Sequence, residues 1–273
     1  MSPLAALADW PVDTVSAAII TRGGVVEEFG DPTRVFELAS VTKLLVAEAI
    51  LIATEEGAVE LDDPAGPPGA TIAHLLAHAS GLAFDSRDIM APVGTQRIYS
   101  SAGFEILAET VESATDIAFG EYLRQAVCEP LGMTSTVLAG PAGHGARSSV
   151  ADLGSFAAEL LSPSLLSPQL AADASSVQFP GLDGFVPGYG KHRPNDWGLG
   201  FEIRSAKSPH WTGTHNSPRT FGHFGQSGTF LWVDPDLGAA CVVLTDRTFG
   251  PWAKPLWSEF NDTVVASLGG PEN

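Results

Sequence analysis

Ser40-Val41-Thr42-Lys43 stands at the mouth of a long apolar run, Leu44 to Ala53, broken only by Glu48. A serine at a helix start with a lysine at i+3 sets both side chains on one face, about one turn apart. The positive end of the helix favours negative charge developing near Ser40. A lysine held against apolar surroundings loses its proton more readily and can activate a hydroxyl. Those are the requirements of a serine nucleophile in acyl transfer. The bland reading of the same residues is a helix start capped by Ser40, with Lys43 in solvent. The run itself is apolar nearly all round. It therefore predicts a central buried helix that reaches about Glu56 and stops at Gly57.

Working outward, Val15 to Thr21 reads as a strand, Arg22-Gly23-Gly24 as a turn and Val25 to Phe29 as the hairpin partner. Helical patterns follow over Thr71 to Ala79, Ala102 to Ala114, Ala118 to Val127 and Val150 to Leu161. Residues 180–222 are rich in Gly, Pro, Trp and His, and only Trp197 to Ile203 reads as a strand. Thr229 to Asp234 and Ala239 to Asp246 are strands joined by the turn Pro235-Asp236-Leu237-Gly238. The last helix, Trp252 to Leu268, carries Trp257, Phe260, Val264 and Leu268 at helical spacing. Strands at both ends with helices between predict a discontinuous sheet domain, residues 1–60 and 196–273. A mainly helical domain, 61–195, interrupts it, with the site at their interface.

The 273 residues are 44% hydrophobic, enough for a substantial core. Net charge is −18 with only 14 basic residues, which disfavours nucleic acid and anionic membrane as partners. No basic-then-apolar leader opens the chain and no apolar stretch spans a bilayer, so the expected location is cytoplasmic. Cys128 and Cys241 are isolated and read as small buried hydrophobes. His74 and His78 stand at i, i+4 with no Glu after His74 and no third ligand in view. They read as packing and capping residues, and no metal or cofactor is expected.

Further stretches fall in a fixed order: Thr71-Ile72-Ala73-His74-Leu75-Leu76-Ala77-His78-Ala79-Ser80-Gly81-Leu82, Arg97-Ile98-Tyr99-Ser100-Ser101, Glu129-Pro130-Leu131-Gly132-Met133-Thr134, His223-Phe224-Gly225 and Phe230-Leu231-Trp232-Val233-Asp234-Pro235. With Ser40 and Lys43, they resemble the serine β-lactamase and penicillin-binding-protein superfamily over roughly residues 12 to 250. The nearest branch is that of the class C β-lactamases with their related esterases and D-aminopeptidases. The resemblance implies a β-lactamase/transpeptidase-like α+β fold: an antiparallel sheet flanked by helices, plus an all-helical lobe.

It also implies roles. Ser40 is the candidate nucleophile and Lys43 its activating partner. Tyr99 matches the family's tyrosine and would accept a proton if Lys43 lowered its pKa; which of the two is the base stays open. Gly225 would let the backbone approach the substrate, and the backbone N–H groups of Ser40 and Gln226 would form the oxyanion hole. Two positions depart from the family. His223 replaces the usual lysine of Lys-Thr-Gly and is more weakly cationic near neutral pH. Ser101 replaces the usual asparagine and offers fewer hydrogen bonds. A substrate carboxylate thus loses a fixed cation, for which Arg219 is a candidate substitute and a solvated arginine the alternative. Trp211 lies in a loop that either lines the acyl pocket or is plain surface.

The implied function is a serine hydrolase that cleaves a small-molecule ester, amide or lactam through an acyl-serine. Carboxylesterase is favoured over β-lactamase and D-amino-acid peptidase. A non-catalytic binding scaffold on the same fold is the alternative of another class.

Overall fold

The computed structural model describes residues 2–270. Its strands are β1 (Val15–Thr21), β2 (Gly24–Phe29), β3 (Phe36–Glu37), β4 (Val137–Leu138), β5 (Ala146–Ser148), β6 (Gly184–Val186), β7 (Gly190–His192), β8 (Glu202–Ile203), β9 (Phe221–Gly225), β10 (Thr229–Asp234) and β11 (Ala239–Thr245). Its helices are α1 (Thr42–Glu55), α2 (Ile72–Leu76), α3 (Ser101–Thr115), α4 (Phe119–Leu123), α5 (Val150–Leu161), α6 (Pro168–Ala174) and α7 (Ala253–Ser267). The main sheet is antiparallel, in the order β2-β1-β11-β10-β9-β8. This is the α+β fold, a sheet with flanking helices, that the resemblance implies.

The period-two alternation of strands sorts the apolar residues onto two faces. Ala17 and Ile19, Phe230 and Trp232, Cys241 and Val243 all face an aromatic layer with Trp211, Trp257 and Phe260. Ala18 and Ile20, Leu231 and Val233, Val242 and Leu244 face the other way, into a larger aliphatic core with α1 and α5. The aromatic layer is the side closed by α7, whose Trp257, Phe260 and Val264 are buried at helical spacing. Trp232 donates its indole N–H to Asn261 at 2.9 Å, so the buried polar edge of that ring is satisfied. On β9, Phe224 faces the aromatic layer, whereas Phe221 faces the aliphatic core. His223 has the parity of Phe221 and so points toward the α1 side.

Helix α1 is buried at every residue from Thr42 to Ala53, as its uniformly apolar sequence requires. Ser40 lies just before it, in a 3-10 turn, Ala39–Val41. No side chain caps α1; instead Thr42 Oγ1 accepts the Ala146 N–H at 3.0 Å. The simple N-cap reading of Ser40 therefore does not describe this helix start. Ala39 adopts φ +46°, a left-handed conformation that costs a non-glycine residue energy. The turn holding Ser40 is thus shaped by its packing.

The expected helical lobe over 61–195 loses one member to the sheet. Helix α5 packs on β1, β10 and β11, because its buried stripe of Val150, Leu153, Phe156 and Ala157 fits the aliphatic face. A small sheet, β3-β5-β4, and the hairpin β6–β7 also lie outside the expected pattern. Arg97 ties this second part together. It is 2% exposed and donates to four carbonyls: Ala77 (2.6 Å), Gln178 (2.8 Å), Asn195 (3.0 Å) and Phe179 (3.1 Å). A planar guanidinium with several fixed donors can reach such a set; an ammonium cannot. Replacing Arg97 by Met leaves these acceptors without their donor, at about 3 kcal/mol or more. We expect the thermal midpoint of Arg97→Met to fall by about 6–12 °C, and that of Arg97→Lys by less. Scanning calorimetry checks this; both variants melting with the wild type would refute the clamp.

Candidate active site

Lys43 is fully buried, 0% exposed, on the first turn of α1. Its Nζ donates to Gly143 O at 2.7 Å and to Ser101 Oγ at 3.0 Å. It lies 4.6 Å from the centre of the Tyr99 ring and 5.4 Å from that of Phe104. Gly143 is held by Glu105, whose carboxylate accepts the Ala142 N–H (3.0 Å) and the Gly143 N–H (2.8 Å). Position 143 also has no room for a side chain, since a Cβ there would stand 2.7 Å from that of Ser101. Burial pulls the Lys43 ammonium down to about 7, while the nearby Glu105 charge opposes the shift.

Tyr99 ends the segment anchored by Arg97, immediately before α3. The next residue, Ser100, caps that helix by accepting the Gly103 N–H at 3.1 Å. The Ser100 N–H in turn donates to His78 Nδ1 at 3.1 Å. Tyr99 Oη is buried and makes no hydrogen bond of ordinary geometry. Burial pushes its phenol up from the ordinary value; the nearby Ser40 side chain partly offsets this. The shift is opposite to the one expected had Lys43 lowered it. The reason is geometric: Lys43 faces the ring, and the phenol lies in a dry wall of His78, Trp197 and His223.

His223 is neutral. Burial, then the neighbouring Lys43 charge, brings its imidazole down to about 3. Its Nδ1 is 2.6 Å from the Phe224 carbonyl, which requires the proton on Nδ1. The buried Nε2, which has no partner, is then an acceptor. The expected weak cation at this position is corrected to an uncharged acceptor. Gly225 allows β9 to touch the nucleophile turn, because a Cβ there would lie 2.2 Å from Leu38 O and 3.2 Å from Ala39 Cβ. Thr229 Oγ1 donates to the same Leu38 carbonyl at 3.0 Å. Gln226, next in the chain, accepts the Phe249 N–H at 2.8 Å through its carbonyl.

Ser40, Lys43, Tyr99, Ser101, His223 and Gly225 thus converge, and Gln226 follows directly on Gly225. Arg219 and Trp211 do not join them. Arg219 precedes β9 at the end away from Gly225; it is 71% exposed at its side chain and paired with Asp236 at 2.8 Å. Trp211 lies on the opposite face of the sheet, in the aromatic layer. It donates to Glu202 Oε2 at 2.6 Å. Glu202 is also buried and paired with Lys207 at 2.9 Å and His210 at 3.2 Å. Burial alone would raise its carboxyl, but Lys207 and His210 together hold it well below the carboxylate range.

Sequence reasoning missed Glu105 and Gly143, which belong to no short motif. It also missed His78 as the support of the Tyr99 turn. His74 stacks on Phe179 with ring centres 4.2 Å apart and contacts Thr71 Oγ1 at 2.9 Å. Among the described residues, no group of three or more His, Cys, Asp or Glu is arranged to hold a metal ion, and no helix is long and apolar enough to cross a membrane.

A cleft of about 530 Å³ opens beside Tyr99. Phe84, Ile98, Tyr99 and Phe185 give it an apolar wall, and Phe185 is 65% exposed. Lys191 also lines it, paired with Asp183 at 3.6 Å.

Comparison with known proteins gives the family to which this fold belongs. The β-lactamase family model matches residues 8–261, so the chain belongs to the β-lactamase family. A crystal structure of a β-lactamase from Mycobacterium bovis superposes with a TM-score of 0.97 and 59% identity, over 98% of this chain and 99% of the other. Esterase EstB of Burkholderia gladioli is 24% identical over 92% of this chain and 90% of its own length. The D-alanyl-D-alanine-carboxypeptidase/endopeptidase AmpH of Escherichia coli is 25% identical over 37% of this chain and 36% of its own, so the match spans about a third of that protein. The chain is a hydrolase of this family.

The site's electrostatics make a prediction independent of substrate. With Lys43 near 7 in the folded state and 10.5 as its ordinary value, the unfolded chain holds the extra proton between those values. The stability penalty is full below about pH 7 and fades as pH rises toward about 10.5. Lys43→Met removes it. The stability of this variant relative to wild type should therefore decline by roughly 1 kcal/mol per pH unit between about pH 7 and 10. Denaturant titrations across that range measure it; a difference independent of pH would contradict a lysine that folds as a neutral amine.

Proposed function

We propose that this chain is a serine carboxylesterase working through an acyl-Ser40 intermediate. The observation that carries the reading is the buried Lys43. As a neutral amine it has two N–H groups and one lone pair. The two hydrogen bonds to Ser101 and Gly143 use both N–H groups, which leaves the lone pair for the Ser40 proton. Ser40 Oγ attacks the ester carbonyl carbon as Lys43 takes that proton. The oxyanion is stabilised by the backbone N–H groups of Ser40 and Gln226. Collapse breaks the carbon–oxygen bond, and the leaving alkoxide receives a proton from the Lys43 ammonium, relayed by the neutral Tyr99 hydroxyl. Water then attacks the acyl carbon, giving up a proton by the same route, and releases the acid with Ser40 restored.

Esters are favoured over β-lactams and peptides by what surrounds the nucleophile. His223 offers an acceptor where a substrate carboxylate would need a cation. Arg219 lies at the other end of β9. Ser101 is occupied by Lys43, so it has less to offer a substrate amide. The apolar cleft at Phe84, Ile98 and Phe185 suits an acyl or alkyl chain. A second reading, β-lactam hydrolysis, is supported by the M. bovis β-lactamase at 59% identity.

Intact-mass analysis after treatment with a fluorophosphonate tests the nucleophile. One adduct is expected on wild type and none on Ser40→Ala; labelling of Ser40→Ala would sink the assignment. Lys43→Ala and Tyr99→Phe should each slow ester hydrolysis by about 10²–10⁴-fold, and the double variant by far less than the product. Losses that multiply in full would deny a shared proton path.

Specificity is tested by kcat/KM for nitrocefin against nitrophenyl acetate. Ester cleavage should dominate in wild type. Ser101→Asn with His223→Lys should shift the ratio toward nitrocefin, because a simple ester cannot use the added contacts. Efficient nitrocefin turnover by wild type would make β-lactamase the function, and an inert protein without labelling would leave the scaffold reading.

A further inference from the structure

A second cavity, of about 420 Å³, lies at the other end of the aliphatic core. It is formed where the middle of α1 meets the end of α5, helix α6, the Phe201 and Phe221 segments and the Pro235 turn. That turn follows β10 at the end opposite Ser40. Along α1, Glu48 is five residues beyond Lys43, roughly 7–8 Å of helix rise. The cavity walls include Leu160, Leu166, Ala174, Phe201 and Phe221.

Two carboxylates, and the hydroxyls of Ser162 and Ser175, interrupt this apolar lining. Glu159 is satisfied: it accepts the N–H groups of Ser164 (2.6 Å) and Leu165 (2.7 Å) and the Ser164 hydroxyl (2.6 Å). Glu48 is not satisfied. It is only 2% exposed, and its Oε2 is buried with no hydrogen-bond partner. Burial and then the charge of Glu159 push the Glu48 carboxyl up to about 8. A buried acid without a partner is costly in a folding core and calls for a ligand or a proton.

We propose that this cavity binds a small alkylammonium ion, its cationic head between Glu48 and Glu159 and its hydrocarbon body against Leu166, Ala174, Phe201 and Phe221. Charge complementarity selects the occupant. A cation satisfies Glu48 and relieves its repulsion with Glu159 at once, whereas a neutral alcohol can donate a hydrogen bond to Glu48 but leaves the repulsion in place. A bare divalent ion is a poorer fit, because Glu159 is already engaged by three donors and the lining serines, Ser162 and Ser175, add too few oxygens for the shell that calcium requires. The site is separate from the Tyr99 cleft, and the inference does not depend on the esterase reading.

Binding carries a proton signature. Glu48 and Glu159, from α1 and α5, are the only titratable residues among those lining the cavity; α6, the Phe201 and Phe221 segments and the Pro235 turn contribute none. An ammonium must displace the proton from Glu48, so affinity should rise about tenfold per pH unit below about pH 8.

The test is calorimetric titration of the whole chain with n-hexylammonium chloride, with the site mapped by amide chemical shifts. Expected are saturable binding, shifts at residues 159–174 and 201, and affinity about tenfold tighter at about pH 7.5 than at about pH 6.5. The isosteric Glu48→Gln should bind at least about tenfold more weakly and lose the pH dependence. Ala172→Trp, at an exposed lining position on α6, should block binding while leaving fluorophosphonate labelling unchanged. Equal affinity for 1-hexanol, unchanged binding by either variant, or shifts confined to the Tyr99 cleft would overturn the proposal.

Discussion

An amine buried without a carboxylate in contact is the constraint on which the site depends. Lys43 is fully buried, and no acid is paired with it among the described residues; its hydrogen-bond partners are a hydroxyl and a carbonyl. In such surroundings the neutral form gains on the charged one, and the amine titrates near 7 instead of 10.5. Each neighbour has a part in keeping it so. Helix α1 is buried from Thr42 to Ala53, and Lys43 on its first turn has no exposed surface. Glu105 fixes the Ala142–Gly143 backbone so that one carbonyl meets the amine. The lack of a side chain at Gly143 lets that loop press against Ser101. Glu105 is also the counterweight: its charge keeps the lysine from titrating still lower.

Much of this was legible from the residues. Helix α1, the first hairpin, the β10–β11 pair and α7 follow from periodicity and turn chemistry, because their burial patterns are strong and local. The convergence of Ser40, Lys43 and Tyr99 was expected from ordered motifs. Other features depend on long-range geometry. Whether Arg219 reaches the site depends on the direction in which β9 runs, and whether Trp211 does depends on which face of the sheet its loop covers. Neither is encoded within a few residues. Strands β3, β4 and β5 have two or three residues each and carry no detectable period. Glu105 looks like an ordinary helix glutamate until the Gly143 loop folds over it. The direction of the Tyr99 shift was misjudged for the same reason, since burial by distant segments outweighs one nearby charge.

Membership of the β-lactamase family sets the scaffold and the class of reaction, and the substrate is decided by a few side chains around it. Here two of them differ from the family's usual residues, and both changes remove polar reach. Ser101 turns inward to the lysine. His223 becomes a neutral acceptor in a wall of aromatic rings, backed by the buried Glu202–Lys207–His210 cluster. The outer cleft, by contrast, has an apolar wall of Phe84, Ile98 and Phe185 beside the Lys191–Asp183 pair. These features are what the esterase proposal rests on when it favours uncharged substrates with hydrophobic groups.

The central claim, that Lys43 gives up its proton near neutral pH, is open to direct observation. Lysine labelled with ¹³C at Cε reports its own ionisation by NMR, and Lys43→Met assigns the resonance. The account predicts a titration midpoint about 7 for this one lysine. A Lys43 signal that stays in the ammonium position up to about pH 10, the ordinary lysine range, would contradict it.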